Sequence, residues 1–240
     1  SPRCATNSQI MFLVLNTSSV TLVPVTVLLF RAQQGAEDPA LVYLPLLMAT
    51  TISTLVGVIV TARVQKLPLA SPLLLTVMGV WLAVLGLLGA VVLLAPAEAA
   101  NTFASLLGNG ILLLVLSVFF IAAWRSGVDS YDAFVEGAKE GFTLAVKIIP
   151  YLVAMLAAIA MLRAGGVLGL FLDGIRSGVG ALGLDTRFVD ALPVALLKPL
   201  SGSGARAAMV DVMQTHGVVS LAGRMAAVRQ GSTETTFYVL

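Results

Sequence analysis

The sequence predicts an all-α polytopic membrane protein: about five transmembrane helices, amphipathic interfacial helices and a re-entrant helical hairpin, with inverted-repeat character. Three observations carry this expectation. Of 240 residues, 58% are hydrophobic and 11% charged, whereas a soluble domain carries about 25% charged residues. Charge-free runs at 4–30, 39–62, 67–97 and 99–124 each exceed the roughly 20 residues that cross a hydrocarbon core. The charges are also uneven, with seven in residues 1–124 and 19 in residues 125–240. So few charges cannot cover a soluble surface, and intrinsic disorder needs the opposite bias.

Taken in order, the runs predict spans near 10–31, 41–64, 71–95, 103–124 and 142–163. The last becomes long enough if Lys147 snorkels to the interface. Gly108-Asn109-Gly110 inside the fourth span reads as a kink or packing notch. The 63–70 turn carries Arg63 and Lys66 with no acid, and Trp124-Arg125 closes the fourth span. The positive-inside rule then places 63–70 and 125–140 in the cytoplasm and the loops 32–40 and 96–101 outside. Segment 128–141 places Val128, Tyr131, Phe134 and Val135 at helical spacing, with acids and Lys139 on its other faces. It reads as an amphipathic surface helix that Asp129 or Ser130 can cap. Segment 165–184 is glycine-rich, with Asp173 and Arg176 three apart, and reads as interfacial or re-entrant. Its Gly165/Gly169 and Gly174/Gly178 pairs have small-xxx-small spacing. Ordinary packing within the chain is the first reading of those pairs, and a homo-oligomer the second.

Three polar breaks interrupt the apolar pattern. Asn16-Thr17-Ser18-Ser19 with Pro24 is the first, and Thr21 belongs to it. Gln230-Gly231-Ser232-Thr233-Glu234-Thr235-Thr236 is another. At a constant offset of 214 residues, Ser18 matches Ser232, Ser19 aligns with Thr233 and Thr21 matches Thr235. Between them, Asp185 is positioned to cap a helix running to about Lys198, which Pro199 ends. Ser201-Gly202-Ser203-Gly204 forms a turn, and a second helix starts at Ala205 with Arg206 in its first turn. Free amides and a positive dipole end there suit an anionic or polar group. Interrupted backbone at membrane depth survives only against protein or a water-filled cavity. Matching interruptions in two halves point to a solute site. Glu234, in a segment expected to be buried, calls for Lys198 or Arg206 as its partner.

The remaining signals exclude other classes. No basic cluster is long enough for nucleic acid. Cys4 and His216 are single, so neither an intrachain disulfide nor an all-histidine metal site can form. No phosphate-binding loop, zinc motif or nucleophile elbow is present. The expectation is therefore a non-enzymatic protein without a cofactor, whose partners are the lipid bilayer and a small polar solute. Asp211 and His216 are five apart and share no clean helical face. The chain begins without methionine and stops inside the apolar TTFYVL, which reads as a piece of a longer protein.

KPLSGSGARAAMVD followed by GSTETTFYVL resembles the bacterial spore maturation protein B family. TNSQIMFLVLNTSSVTLVPVTVL followed by ATTISTLVGVIV resembles the C-terminal part of spore maturation protein A. The chain thus looks like a fusion of the end of an A-like gate half (1–95) and most of a B-like gate half (100–240). A glycine-asparagine-alanine-threonine-proline stretch of the A family would precede residue 1, so the first repeat is expected to be truncated. The resemblance implies a multi-pass protein of the bacterial cytoplasmic (inner) membrane, of the nucleoside recognition or "gate" group. It also implies a transporter or permease-like component for a small polar solute, such as a nucleoside or related metabolite. A non-transporting scaffold or assembly factor of the spore-maturation type is the alternative. In distant nucleoside transporters a Gln-Thr-Glu segment holds the nucleoside. Gln230, Thr233 and Glu234 echo it with different spacing. The expected solute-binding set is Asn16, Ser18, Ser19, Thr21, Lys198, Ser201, Gly202, Ser203, Gly204, Arg206, Gln230, Ser232, Thr233, Glu234 and Thr235.

The orientation has a direct test. In a Cys4→Ser background, an impermeant thiol reagent added to intact cells should label Ala36→Cys and leave Gln65→Cys unlabelled. The reverse pattern would invert the topology.

Overall fold

The computed structural model describes residues 5–67 and 72–235. The apolar stretch at 236–240 and the start of the expected third span fall outside the described residues. Among those described the chain is helical and contains no strand.

The first apolar run folds as two helices, α1 (Asn7–Thr17) and α2 (Val25–Gln33), so the expected single span at 10–31 is corrected. The cause is local. The Thr17 and Ser18 hydroxyls donate back to the carbonyls of Leu13 and Val14, which competes with the helical ladder. Pro24 then removes a donor and forbids helical backbone before it. A short 3-10 turn, Pro39–Val42, follows, its amide at Ala40 capped by Asp38 at 2.9 Å. It leads into α3 (Tyr43–Val64), α4 (Pro72–Leu94) and α5 (Ala97–Arg125). α5 runs straight through Gly108-Asn109-Gly110. A Cβ on Gly108 would lie 3.1–3.2 Å from Tyr43 and Ala40, so this glycine is a notch for close helix contact.

The expected surface helix 128–141 and the span 142–163 are one 35-residue helix, α6 (Ser130–Ala164). Asp129 caps it, Oδ1 accepting from the amides of Tyr131 at 2.9 Å and Asp132 at 3.1 Å. Gly137 and Gly141 do not interrupt it. Among the described residues, four segments are long and apolar enough to cross a membrane: Pro39–Val64, Leu75–Leu94, Ala97–Arg125 and Ser130–Ala164. On the last three, large apolar side chains such as Leu93, Phe119, Trp124 and Phe142 stand exposed, as lipid-facing helices require.

α7 (Val167–Ala181) follows. Its Gly169, Gly174 and Gly178 face open space, so the small-residue pairs there seat no neighbouring helix among the described residues. Arg176 fastens α7 instead, pairing with Asp173 on its own helix and with Asp190 at 2.7 Å. The helix expected from Asp185 is also corrected. The Asp185 carboxylate is occupied by the Arg187 amide at 2.9 Å and its Nε at 2.8 Å. That local loop replaces a cap, and the Arg187 guanidinium holds the Asp185 carboxyl below the usual carboxylate range. A 3-10 turn, Val189–Ala191, and the short α8 (Leu192–Leu197) come next, with Pro193 in α8's first turn. α9 (Gly202–His216) and α10 (Leu221–Ser232) complete the described chain. Gly217, at φ 93°, allows the turn between them.

The main buried cluster surrounds α9, where Ala205, Ala207, Ala208 and Met209 are fully buried against α6, α8 and α10. Met225 packs against the same cluster from α10. A second cluster joins Tyr43, Leu44 and Leu47 to Leu88 and Ala104. Arg31 locks the two halves of the chain together. It is fully buried, and donates from Nε to the Pro39 carbonyl (3.0 Å) and from Nη1 to the Val218 carbonyl (3.1 Å). Arg31→Met should remove two charge-assisted hydrogen bonds and lower stability by about 2–4 kcal/mol. Thermal unfolding in detergent checks this, with the exposed Arg187→Gln as a control that should not move.

Candidate solute pocket

The first and last breaks meet. The Glu234 amide donates to the Thr17 carbonyl at 3.1 Å, and the Thr21 hydroxyl donates to the Gly231 carbonyl at 3.1 Å. The two helices that lead into them share a register. α1 starts at residue 7 and α10 at residue 221, the offset seen in the sequence. Thr6 caps α1 through the Gln9 amide at 3.3 Å, and Ser220 caps α10 through the Gly223 amide at 3.0 Å. The caps also fall at that offset. Each helix then runs out into hydroxyl-rich chain whose backbone groups lack the next turn.

Between these breaks and the N-terminus of α9 lies a cavity of about 340 Å³. The first half contributes Thr21, Pro24, Val25 and Thr26, and the second Lys198, Gly202, Arg206, Gln230, Glu234 and Thr235. Ser201 sets the α9 end in place. Its Oγ accepts from the Gly204 amide at 3.0 Å and lies 3.1 Å from Ser203 Oγ, which is an N-cap. Arg206, one turn in, donates from Nε to the Gly202 carbonyl at 3.1 Å. Lys198 is buried at 6% exposure, and its ammonium stands 3.9 Å from Glu234 Oε2. The expectation of a buried Glu234 is corrected. Its side chain is 66% exposed, and the buried partner of the pair is the lysine.

Of the expected site residues, seven line the cavity: Thr21, Lys198, Gly202, Arg206, Gln230, Glu234 and Thr235. The others are placed around it. The Asn16 amide donates to the Phe12 carbonyl at 2.8 Å. Ser18 is buried with its hydroxyl on Val14 and its carbonyl taken by Thr54. Ser19 and Thr233 are exposed, and Ser232 donates to the Arg229 carbonyl at 3.2 Å. Ser201 and Ser203 form the cap, and Gly204 is buried under Met155. The wall formed by Val23, Pro24, Val25, Thr26 and Val27 was missed, although Pro24 signals that a new helix must start beside the break. Asp211, on the far face of α9, pairs with Arg163 of α6. His216 lines a separate, smaller groove with Arg163, Asp173, Arg176 and Asp190.

The close approach of the breaks depends on a missing side chain. A Cβ on Gly231 would collide with Leu46 of α3, which is itself fully buried. Gly231→Ala should therefore cost about 1–3 kcal/mol of stability. In a Leu46→Ala background that cost should shrink or vanish, and additivity of the two changes in unfolding measurements would disprove the contact.

No family model matches the chain, and no solved structure matches it. Over 113 residues it is 44% identical to "Spore maturation protein B" of Bacillus subtilis (strain 168), a match covering 47% of this chain and 62% of that protein. The chain thus spans less than two thirds of the length of the curated relative it matches.

Proposed function

Taking the chain as a membrane protein of the spore maturation family, we propose that it is a transporter or permease-like component that handles a small polar solute. An A-like half (1–95) and a B-like half (100–240) contribute opposite walls of the site. The observation that carries this reading is the cavity where the two breaks meet, lined by Lys198, Arg206 and Glu234 beside the start of α9. Charged groups at such a place in an apolar chain mark solute pathways more often than packing sites. The shared register and caps of α1 and α10 support a pseudo-two-fold relation in the membrane plane, and the α8–α9 hairpin is then the re-entrant element. The bacterial cytoplasmic membrane is the fitting location.

Proteoliposomes holding the full-length protein, loaded with a cell metabolite extract, test this. At least one polar solute should leave faster than from protein-free vesicles. Lys198→Gln, which deletes a buried positive charge but keeps a polar side chain, should slow that flux about tenfold or more. Unchanged flux of all solutes with well-folded protein would favour a non-transporting scaffold.

A further inference from the structure

Lys198 is the group whose position most constrains what the cavity can hold. It is 6% exposed, its ammonium is 3.9 Å from the nearest carboxylate oxygen, and that separation exceeds hydrogen-bond reach. No described residue accepts a hydrogen bond from it. An ammonium has three donors, and burying them unmet is costly. Arg206 commits Nε to the Gly202 carbonyl, which leaves the outer edge of its guanidinium without a protein acceptor among the described residues. Lys198, at the end of α8, and Arg206, in the first turn of α9, flank the start of that 15-residue helix, whose amide end favours negative charge. Gln230 lines the same cavity at 6% exposure, and its Oε1 is buried without a partner. That oxygen lacks a donor, while the Lys198 ammonium and the outer edge of the Arg206 guanidinium lack an acceptor among the described residues. Glu234 does not fill the gap, because its carboxylate is turned largely to solvent.

Resting on the solute-site reading above, we infer that the occupant is a small oxyanion that also carries a hydroxyl. Phosphate and a hydroxycarboxylate such as lactate share that chemistry. The negative oxygens take the donors of Lys198 and Arg206, and the hydroxyl donates to Gln230 Oε1. A cavity of about 340 Å³ is near the small end of ligand sites, which suits a solute of few heavy atoms.

Charged thiol reagents test the inference on full-length protein in membranes. Thr26→Cys, in a Cys4→Ser background, places a thiol on the cavity wall, and Ala36→Cys serves as the reference outside it. The anionic sulfonatoethyl methanethiosulfonate should outpace the cationic trimethylammonioethyl reagent at position 26 by about tenfold relative to position 36. Lys198→Gln should abolish that bias and Lys198→Arg should keep it. Sodium phosphate or sodium lactate should slow the reaction at position 26, while sodium chloride and sodium acetate at equal ionic strength should not. Protection by phosphate alone or lactate alone assigns the oxyanion. If position 26 reacts readily with no charge bias and no protection, the cavity is open and the solute site stands, but the oxyanion inference is overturned. If position 26 is inert while position 36 reacts, both fall.

Discussion

The structure depends on one constraint: a backbone that stops being helical within apolar surroundings must still hydrogen-bond its amides and carbonyls. α1 and α10 each end within a chain that is largely apolar, and their ends lie against one another. They solve the problem for one another. The carbonyl left open at Thr17 takes the Glu234 amide, and the Thr21 side chain takes the carbonyl of Gly231. An isolated end would forfeit several kcal/mol for each unmet group. The cavity is therefore a by-product of backbone chemistry. Two helix ends that satisfy each other cannot also pack side chains at that point, and the space they leave is rimmed by whatever polar groups the breaks carry.

Much of this was legible in the sequence because it is written in residues with strong backbone preferences. Long apolar runs gave the spans at α3, α4 and α5. Serine, threonine and Pro24 marked the first break, and Pro199 marked the end of α8. The pairing of Lys198 with Glu234 followed from the cost of lone charges, although which of the two would be buried did not. The failures share a cause. Segments 128–141 and 142–163 read as separate helices, yet the glycines at 137 and 141 weaken a helix by only about 1 kcal/mol each, and α6 runs through them. Asp185 looked like a cap but closed on Arg187 two residues away. Ser201, Ser203, Ser18 and Asn16 looked like ligand groups, and each spends its hydrogen bonds on its own chain. Sequence shows which side chains can serve a ligand. Only geometry shows which are already engaged.

Charge is distributed to match this division of labour. Among the described residues, α4 and α5 meet their neighbours through apolar contacts, whereas arginine links cluster where short elements dock. Arg31 joins the α2 region to the α9–α10 turn, Arg163 joins α6 to α9 through Asp211, and Arg176 joins α7 to Asp190. Arginine suits these places because its planar fork serves two acceptors at once. Each short helix has too little apolar area to fix its own position, so a directional contact supplies what packing cannot.

The length of α6 carries a consequence for the host membrane. At about 1.5 Å per residue its 35 residues extend for roughly 52 Å, against a hydrocarbon core of about 30 Å. Four of its six charged residues lie in the first third, from Asp132 to Glu140, so that third belongs among the headgroups or beyond them. The remaining 24 residues, Gly141 to Ala164, still measure roughly 36 Å. With Lys147 and Arg163 snorkelling toward the two interfaces, such a rod matches the bilayer to within a few ångströms, and leaning or local bilayer thickening takes up the difference. Met155 of α6 packs over Gly204 in the first turn of α9, the turn that also carries Gly202 and Arg206 of the cavity lining. The lean that a host membrane imposes on α6 is therefore transmitted, through Met155, to the helix that carries those residues.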